Sequence, residues 1–295
     1  QFRHYYKSSD ILNKLIIVNV AVFMAVHVVN LIYMLFDIPY QLAPLVHWLA
    51  VPAFGPDLLT HPWTLITYMF LHEGIFHILF NMLFLFWFGQ LFLREFRQKN
   101  LLGVYLLAGL SGALTYVLAY NLFPVFDQHR YNAIALGASA SVMGVVLAIA
   151  AYKPNYKLNL LFIGPVKIIY IALVAIALDI VQMPRGNAGG HLAHIGGAAL
   201  GYFYAVRMQK GADITKGLNN FIDRMVGLFP SRRLHVSHKK STYKWRNARK
   251  MDDFEYNKSQ ADIQARIDEI LDKISKNGYD ALTKEEKEFL FRQKK

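Results

Sequence analysis

Long uncharged apolar runs separated by short polar links fill residues 11–207, and this pattern restricts the possible folds more than any other feature. A helix needs about 20 mostly apolar residues to cross a bilayer, where every backbone group must be hydrogen-bonded within the protein. Six candidate spans follow one another, over about residues 15–35, 75–93, 101–122, 139–152, 168–183 and 191–206. We therefore expect an all-α, polytopic membrane protein with a six-helix bundle over 11–207.

Lys and Arg are concentrated in alternate links, which predicts the orientation of the spans. They occur in the N-terminus 1–10, in the links after the second and fourth spans, and after the sixth span. Residues 36–73 contain neither, and residues 123–138 and 184–190 contain one arginine each. Because cytoplasmic loops carry the excess of Lys and Arg, we expect both termini in the cytoplasm.

Two segments depart from a simple pattern of spans and polar loops. Residues 36–73 are long, apolar and poor in charge, so we expect a partly helical insertion lying in the outer membrane interface. The fourth span, 139–152, is too short to cross alone, and its N-terminal end should begin inside the membrane. Backbone at that depth must be buried in protein or line a wet cavity.

The segment after the sixth span divides into two predicted parts. Residues 208–258 form a basic linker whose charge suits anionic lipid headgroups. Residues 259–295 are expected to form a cytosolic helical hairpin. Its first helix should stop at Asn277–Gly278, and a capping box of Thr283 and Glu286 should open the second.

Overall charge and cysteine content exclude several function classes. The net charge of +12 is expected of cytoplasmic links and tails in a membrane protein, so no nucleic-acid partner is inferred. The chain has no cysteine, which excludes disulfides, thiol nucleophiles and Cys-ligated metals. The absence of cysteine and the single bundle suggest a bacterial inner membrane.

Ser139 stands at the head of the short fourth span, in the small-residue run Gly137–Gly144. A serine at the start of a helix lies beside free backbone N–H groups and the positive end of the helix dipole. Acyl transfer needs such groups near its nucleophile, because negative charge develops on the substrate oxygen. The alternative is that Ser139 is a small packing residue.

His194 lies near the head of the sixth span, three residues before Gly197. Gly197 and Gly201 form a smooth face that allows another helix to approach closely. A histidine beside that face could pair with Ser139 as nucleophile and base. The alternative is a packing or interfacial histidine; we assign no role to His191.

His77 and Asn81 are four residues apart, hence on one face of the second span. Both could donate hydrogen bonds to an oxyanion, or they could be a structural polar pair. A metal site formed by histidines 72, 77, 191 and 194 is a weaker interpretation. The string His72-Glu73-x-x-x-His77 is one residue longer than the His-Glu-x-x-His motif of zinc proteases. We expect no metal and no cofactor.

Together these three clusters resemble the rhomboid family of intramembrane serine proteases, and the resemblance covers about residues 10–207. The matching motifs are His-x-x-x-Asn, Gly-x-Ser and Ala-His-x-x-Gly-x-x-x-Gly, in that order. The resemblance implies a nucleophile, Ser139, a general base, His194, and an oxyanion hole of His77, Asn81 and the Ser139 backbone N–H. It also implies structural roles for His72, Gly137, Gly197, Gly201, Met143 and Trp63.

Three residues depart from the family pattern. Ala140 replaces the glycine after the serine, and Thr64 replaces the arginine after the loop tryptophan, Trp63. Met143 replaces an aromatic residue that packs on the histidine, so the orientation of His194 is less well explained. Asp179 lies far along the chain, and nothing in the sequence places it beside His194; we therefore expect a dyad.

The resulting hypothesis is an intramembrane serine endopeptidase that cleaves transmembrane segments of membrane-anchored proteins near the outer leaflet. Its partners would be transmembrane protein substrates and the lipid bilayer. One rival is a non-proteolytic rhomboid-like protein that binds membrane clients. Another is a carrier of a histidine-ligated haem, quinone or metal.

Overall fold

The computed structural model describes residues 10–37, 45–161, 163–228 and 253–293. The chain divides into two compact units, residues 1–230 and 231–295. The N-terminal basic residues Arg3 and Lys7, and residues 229–252 of the basic linker expected over 208–258, lie outside the described residues. The predictions made for them stay predictions.

The first unit is mainly helical. Its helices are α1 (Ile11–Leu35), α2 (Leu45–Leu49), α3 (Gly55–Thr60), α4 (Thr64–Thr67), α5 (Ile75–Glu95), α6 (Gln98–Leu122), α7 (Ser139–Tyr152), α8 (Ile168–Gln182), α9 (Ala188–Gln209) and α10 (Lys216–Leu228). The short helices α2 to α4 lie within the first link, as expected of a partly helical insertion.

Four helices in the described part of the chain are long and apolar enough to cross a membrane: Ile11–Leu35, Ile75–Glu95, Gln98–Leu122 and Ile168–Arg185. Helix α7 is equally apolar but has only 14 residues. Helix α9 has 22 residues and a lower apolar content, because five glycines and two histidines interrupt it. The chain is therefore a helical membrane protein, and the count of six spans remains an expectation.

Helix α7 lies at the centre of the first unit. Every residue from 140 to 150 is buried, and the helix packs against α5, α6, α8 and α9. Small side chains permit this close packing: a Cβ added at Gly197 would overlap the Ala140 carbonyl oxygen, and one at Gly201 would overlap that of Gly144. The predicted contact between the fourth and sixth spans is thus present.

Buried polar groups connect α1 and α6 to the end of the first link. Asn19 Nδ2 lies 3.2 Å from the Tyr105 hydroxyl, which donates to the Met69 carbonyl at 3.0 Å. The Tyr68 hydroxyl donates to the Gly109 carbonyl at 2.6 Å. These bonds satisfy groups that would be costly to bury unpaired, and they fix the backbone immediately before α5.

Two small antiparallel sheets accompany the helices of this mainly helical chain. Strands β1 (Val51–Pro52) and β2 (Ile134–Ala135) pair the first link with the segment before α7. Strands β3 (Lys157–Leu160) and β4 (Gly164–Lys167) form a hairpin between α7 and α8. Strands of two to four residues are too short to leave an alternating pattern in the sequence.

The segment expected to be a linker begins with ordered structure instead. Thr215 is fully buried, and its hydroxyl accepts from Asn100 at 3.1 Å and donates to Asp213 at 2.6 Å. Helix α10 follows, and Lys99 pairs with Asp223 on it at 2.6 Å. The linker was predicted from the high density of basic residues, and this short amphipathic helix was therefore missed.

The second unit contains α11 (Asp253–Asn277) and α12 (Lys284–Gln293). The first helix starts six residues earlier than expected and stops at Asn277, where Gly278 adopts φ +77°. The capping box is confirmed: the Thr283 N–H donates to Glu286 at 2.7 Å, and the Glu286 N–H donates to the Thr283 hydroxyl at 3.3 Å. Ile270 and Leu282 are buried in this hairpin.

Candidate active site

Ser139 and His194 meet where α7 and α9 are in backbone contact. Ser139 is the first residue of α7, and His194 lies one turn before Gly197, which touches the Ala140 carbonyl. This contact brings His194 Nε2 to 2.6 Å from Ser139 Oγ, a hydrogen-bonding distance. The two side chains that the sequence placed on separate spans therefore form a pair.

Asp179 also belongs to this cluster, contrary to the expectation from sequence. Its Oδ1 lies 2.9 Å from His194 Nδ1 and 2.7 Å from His191 Nδ1. Helices α8 and α9 are joined by the short segment 183–187 and pack as neighbours, which returns His191 and His194 to the level of Asp179. One sequence feature points to this contact. Asp179 is a lone carboxylate within an apolar span, close to the link between α8 and α9, and such a residue needs a polar partner inside the bundle.

The hydrogen-bond partners assign the proton positions of this cluster. An ionised carboxylate can only accept, so both Nδ1 atoms must donate to Asp179. The Nε2 atom of His194 then carries a lone pair and accepts the Ser139 hydroxyl proton. This is the tautomer that a general base requires.

The segment before α7 places His77 opposite Ser139. Gly137 has φ +134°, a backbone conformation that residues with side chains rarely adopt, and it lies two residues before the first residue of α7. A Cβ at this position would lie 3.0 Å from His77 Nε2 and 3.4 Å from Ser139 Oγ. Glycine is thus required both by the backbone and by the space between these two polar atoms.

Asn81 lies one turn after His77 on α5. Its Nδ2 donates to the His77 carbonyl at 2.9 Å, within the same helix. An amide nitrogen carries two hydrogens, so this bond does not use all of its donor capacity. His77 and Asn81 line the same cavity as Ser139, which stands at the start of α7, where backbone N–H groups have no partner within the helix.

Two cavities reach the Ser139–His194 pair from different sides. One, of about 710 Å³, has several polar residues in its lining, including Glu73, Tyr116 and Asn187. The other, of about 520 Å³, lies between α5 and α8 and is mainly apolar. His77, Ser139 and His194 line both, while Asn81, Met143 and Asp179 line the second.

His72 and Trp63 lie further from the serine. His72 is buried, and its ring meets that of His77 edge to face at 5.0 Å. Burial, with repulsion from His77 as a smaller cause, lowers the pKa of His72 to about 4, so it is neutral at pH 7. Trp63 lines neither cavity; its indole N–H donates to the Trp48 carbonyl at 2.8 Å within the first link.

One group in the described part of the chain has the composition of a metal site. The carboxylate of Asp179 and the imidazoles of His191 and His194 offer ligand atoms within 4.8 Å of one another. Two imidazoles and a carboxylate are a known zinc ligand set. This group differs from the four-histidine set considered from the sequence, and hydrogen bonding alone accounts for its short distances.

The fold and the site together define a helical membrane protein with a serine, a histidine and a carboxylate in one hydrogen-bonded chain. A family model described as the Rhomboid domain matches residues 59–210, just over half of the chain. The chain belongs to the rhomboid family, and the resemblance seen in its motifs is confirmed.

Individual relatives are similar at moderate identity. RHOMBOID-like protein 12, mitochondrial, of Arabidopsis thaliana is 32% identical over 157 residues, which cover 50% of this chain and 47% of that protein. Rhomboid protease GluP of Bacillus subtilis (strain 168) is 31% identical over 146 residues, covering 50% of this chain and 26% of that protein. Presenilin-associated rhomboid-like protein, mitochondrial, of Mus musculus is 34% identical over 140 residues, 46% and 35% of the two chains.

The matched segment thus spans half or less of each of these relatives. A second family model, described as a family of unknown function (DUF6576), matches residues 251–292. That match coincides with the helical hairpin of the second unit and assigns it no activity.

Proposed function

We propose that this protein is an intramembrane serine endopeptidase that cleaves transmembrane segments of membrane-anchored proteins. The observation that carries the proposal is the 2.6 Å distance between Ser139 Oγ and His194 Nε2 within a membrane helix bundle. Membership of the rhomboid family and similarity to a relative named as a protease support it.

The proposed reaction has two steps. Ser139 Oγ attacks the carbonyl carbon of the scissile peptide bond while its proton passes to His194 Nε2. The tetrahedral intermediate collapses, the C–N bond breaks, and the proton on Nε2 passes to the leaving amine. Water then attacks the acyl-enzyme with His194 again as base, which releases the new carboxyl terminus and restores Ser139.

His77, Asn81 and the Ser139 backbone N–H are proposed to stabilise the oxyanion of each intermediate. The positions of His77 and Asn81 around Ser139 support this assignment. A single donor of this kind is worth about 2.7–4 kcal/mol in the barrier. Neutral donors suit this role because they stabilise charge that appears only during the reaction.

The two cavities are proposed to serve different reactants. The cavity with Glu73 and Asn187 in its lining would supply water. The apolar cavity between α5 and α8 would admit the substrate, whose helix must unwind to expose a peptide bond. A substrate helix that contains glycine or proline unwinds at the lowest free-energy cost.

The proposed membrane arrangement follows the distribution of basic residues. Six spans, with both termini in the cytoplasm, place Ser139 towards the outer face of a bacterial inner membrane. The basic stretch 208–258 would contact anionic lipid headgroups, and 259–295 would lie in the cytosol.

An activity-based fluorophosphonate probe tests the nucleophile. We expect the wild type and Ser141→Ala to be labelled in detergent and Ser139→Ala to remain unlabelled. Ser141 is a matched control, because it is the same residue type two positions along the same buried helix. Equal labelling of wild type and Ser139→Ala would refute the assignment, and client binding without cleavage would support the non-proteolytic rival.

A metal-binding function is a second candidate, favoured by the Asp179, His191 and His194 group. Metal analysis of protein purified without chelators distinguishes the two. Stoichiometric zinc that is lost in His191→Ala would favour this candidate. Cleavage that persists in excess EDTA would favour the serine mechanism.

A further inference from the structure

We propose that Asp179 is the positioning residue for His194, and that His191 holds Asp179 in place. This inference rests on the proposed function and extends its two-residue catalytic unit to a relay of Ser139, His194, Asp179 and His191. The four side chains come from three helices, α7, α8 and α9.

The location of Asp179 calls for a specific role. Its side chain is 11% exposed, on a helix whose other residues between 168 and 182 are apolar apart from Tyr170 and Gln182. A carboxylate at such a position is expensive unless hydrogen-bond donors compensate for its lost hydration. The two imidazole N–H groups supply that compensation.

The geometry at Asp179 restricts the His194 ring at both of its nitrogens. Nδ1 donates to Asp179 at 2.9 Å and Nε2 faces Ser139 at 2.6 Å, so rotation of the ring would break two hydrogen bonds. Met143, which lines the same cavity as His194, has no aromatic ring to stack against the imidazole. The carboxylate therefore explains an orientation that the sequence left unexplained.

Charge gives the same contact a second effect. When His194 receives the Ser139 proton it becomes an imidazolium, and Asp179 then faces a full positive charge across 2.9 Å. A buried carboxylate in this position stabilises the charged intermediate without itself taking the proton.

His191 restricts the carboxylate from the other side. It is three residues before His194 on the same helix and donates to the same oxygen, Oδ1, at 2.7 Å. Two donors converging on one oxygen limit rotation of the Asp179 side chain. His191 reaches the reacting atoms only through Asp179, so its removal should have the smaller effect.

The test measures kcat and KM separately, with a fluorogenic transmembrane peptide as substrate for full-length protein in detergent. We expect Asp179→Asn to lower kcat by about 10²-fold or more, towards the roughly 10⁴-fold known for serine proteases, with KM changed less than about twofold. Asp127→Asn is the matched control: it makes the same change at an exposed carboxylate outside the site and should leave both constants unchanged.

Rescue and unfolding measurements separate positioning from general stability. Asp179→Glu keeps a carboxylate within reach of both imidazoles, so it should recover at least about tenfold of the kcat lost in Asp179→Asn, while His191→Ala should lose less than Asp179→Asn. If Asp179→Asn does not fold, His191→Ala decides alone: a reduced kcat at unchanged KM and unfolding temperature supports the relay.

The outcomes also separate this inference from the proposed function. Wild-type kcat in Asp179→Asn, or in a folded His191→Ala when Asp179→Asn does not fold, overturns the relay and leaves the Ser139–His194 pair intact if Ser139→Ala is inactive. Wild-type cleavage by Ser139→Ala overturns the proposed function itself. A parallel rise in KM and fall in unfolding temperature, with no loss of kcat, would assign Asp179 a structural role only.

Discussion

At the scale of single residues, Ser139 and Ser141 show that the surroundings of a serine hydroxyl depend on its position in the helix. Both are on α7, but Ser141 is fully buried inside the bundle, whereas Ser139 opens the helix and lines both cavities. Ser139 also lies 2.6 Å from His194 Nε2, the base in the proposed mechanism, and beside the N–H groups at the start of the helix. The packing role that the sequence analysis gave as the alternative for Ser139 suits Ser141 instead.

Asn81 provides a quantitative test at this scale. If it donates to the oxyanion, Asn81→Ala should lower kcat by about 10²–10³-fold, which is less than the loss in Ser139→Ala. Steady-state cleavage of a transmembrane model substrate measures both. Asn121→Ala, which removes an asparagine bonded to the Ala53 and Val117 carbonyls, is the control and should retain activity. An Asn81→Ala enzyme as fast as wild type would exclude the donor role.

At the scale of helices, the close contact between α7 and α9 determines whether the site exists. The contact depends on glycine, since a Cβ at Gly197 would overlap the Ala140 carbonyl oxygen. That carbonyl belongs to the residue after Ser139. Separation of the two helices would therefore move His194 directly away from its partner.

Gly197→Ala tests this dependence. Overpacking of a tight contact costs about 1–3 kcal/mol, so we expect a lower unfolding temperature in detergent together with reduced cleavage. Gly217→Ala is the control, because a Cβ there meets nothing within 4 Å. In a helix it should be neutral or stabilising by up to about 1 kcal/mol. Equal unfolding temperatures for the two variants would contradict the proposed packing.

We expect the stability of the hairpin in the second unit to depend on pH through Glu286. Hydrogen bonds from Lys273 and from the Thr283 backbone lower the pKa of Glu286 from 4.5 to about 2. A pKa lowered by folding contributes stability above about pH 4.5, and this stability is lost as the pH falls towards 2.

Hydrogen exchange over residues 264–293 of the full chain measures that contribution. Glu286→Gln should accelerate exchange at pH 6, and its difference from wild type should shrink between pH 4.5 and 2. Glu285→Gln, the same change on the neighbouring exposed residue, should have little effect. A difference that does not vary with pH would indicate that the charge of Glu286 is unimportant.

The sequence predicted those elements that depend on local patterns. Apolar runs located α1, α5, α6 and α8 to within a few residues, and the capping box located α12. The paired positions of Ser139 and His194 also followed, because the small-residue face beside Gly197 implied a close helix contact.

The features that escaped prediction depend on contacts between distant segments. Asp179 approaches His194 only because α8 and α9 pack as a hairpin, and no local pattern encodes which faces meet. Strands β1 and β2 pair residues more than 80 positions apart. Thr215 is ordered by Asn100 and Asp213, partners that a count of basic residues does not reveal.

At the scale of the whole molecule, the absence of cysteine makes the orientation directly measurable. Asp57 and Lys210 are both exposed and lie in links expected on opposite sides of the membrane. In intact cells, a membrane-impermeant maleimide should label Asp57→Cys and not Lys210→Cys, while permeabilised cells should allow both to react. The opposite pattern in intact cells would reverse the proposed orientation.

For the proposed protease, the shortness of α7 has a consequence for where a substrate would be cut. Its 14 residues rise about 21 Å, less than the roughly 30 Å of a hydrocarbon core. Lys153, which follows the helix and pairs with Glu95 at 3.3 Å, marks its other end as charged and therefore suited to the headgroup layer. In the proposed orientation, Ser139 would then lie at a fixed depth below the outer surface of the membrane. If residues are inserted into a substrate between the outer membrane surface and the scissile bond, the cleavage site should move along the sequence by the same number of residues. The distance of the cleaved bond from the lipid surface should stay the same.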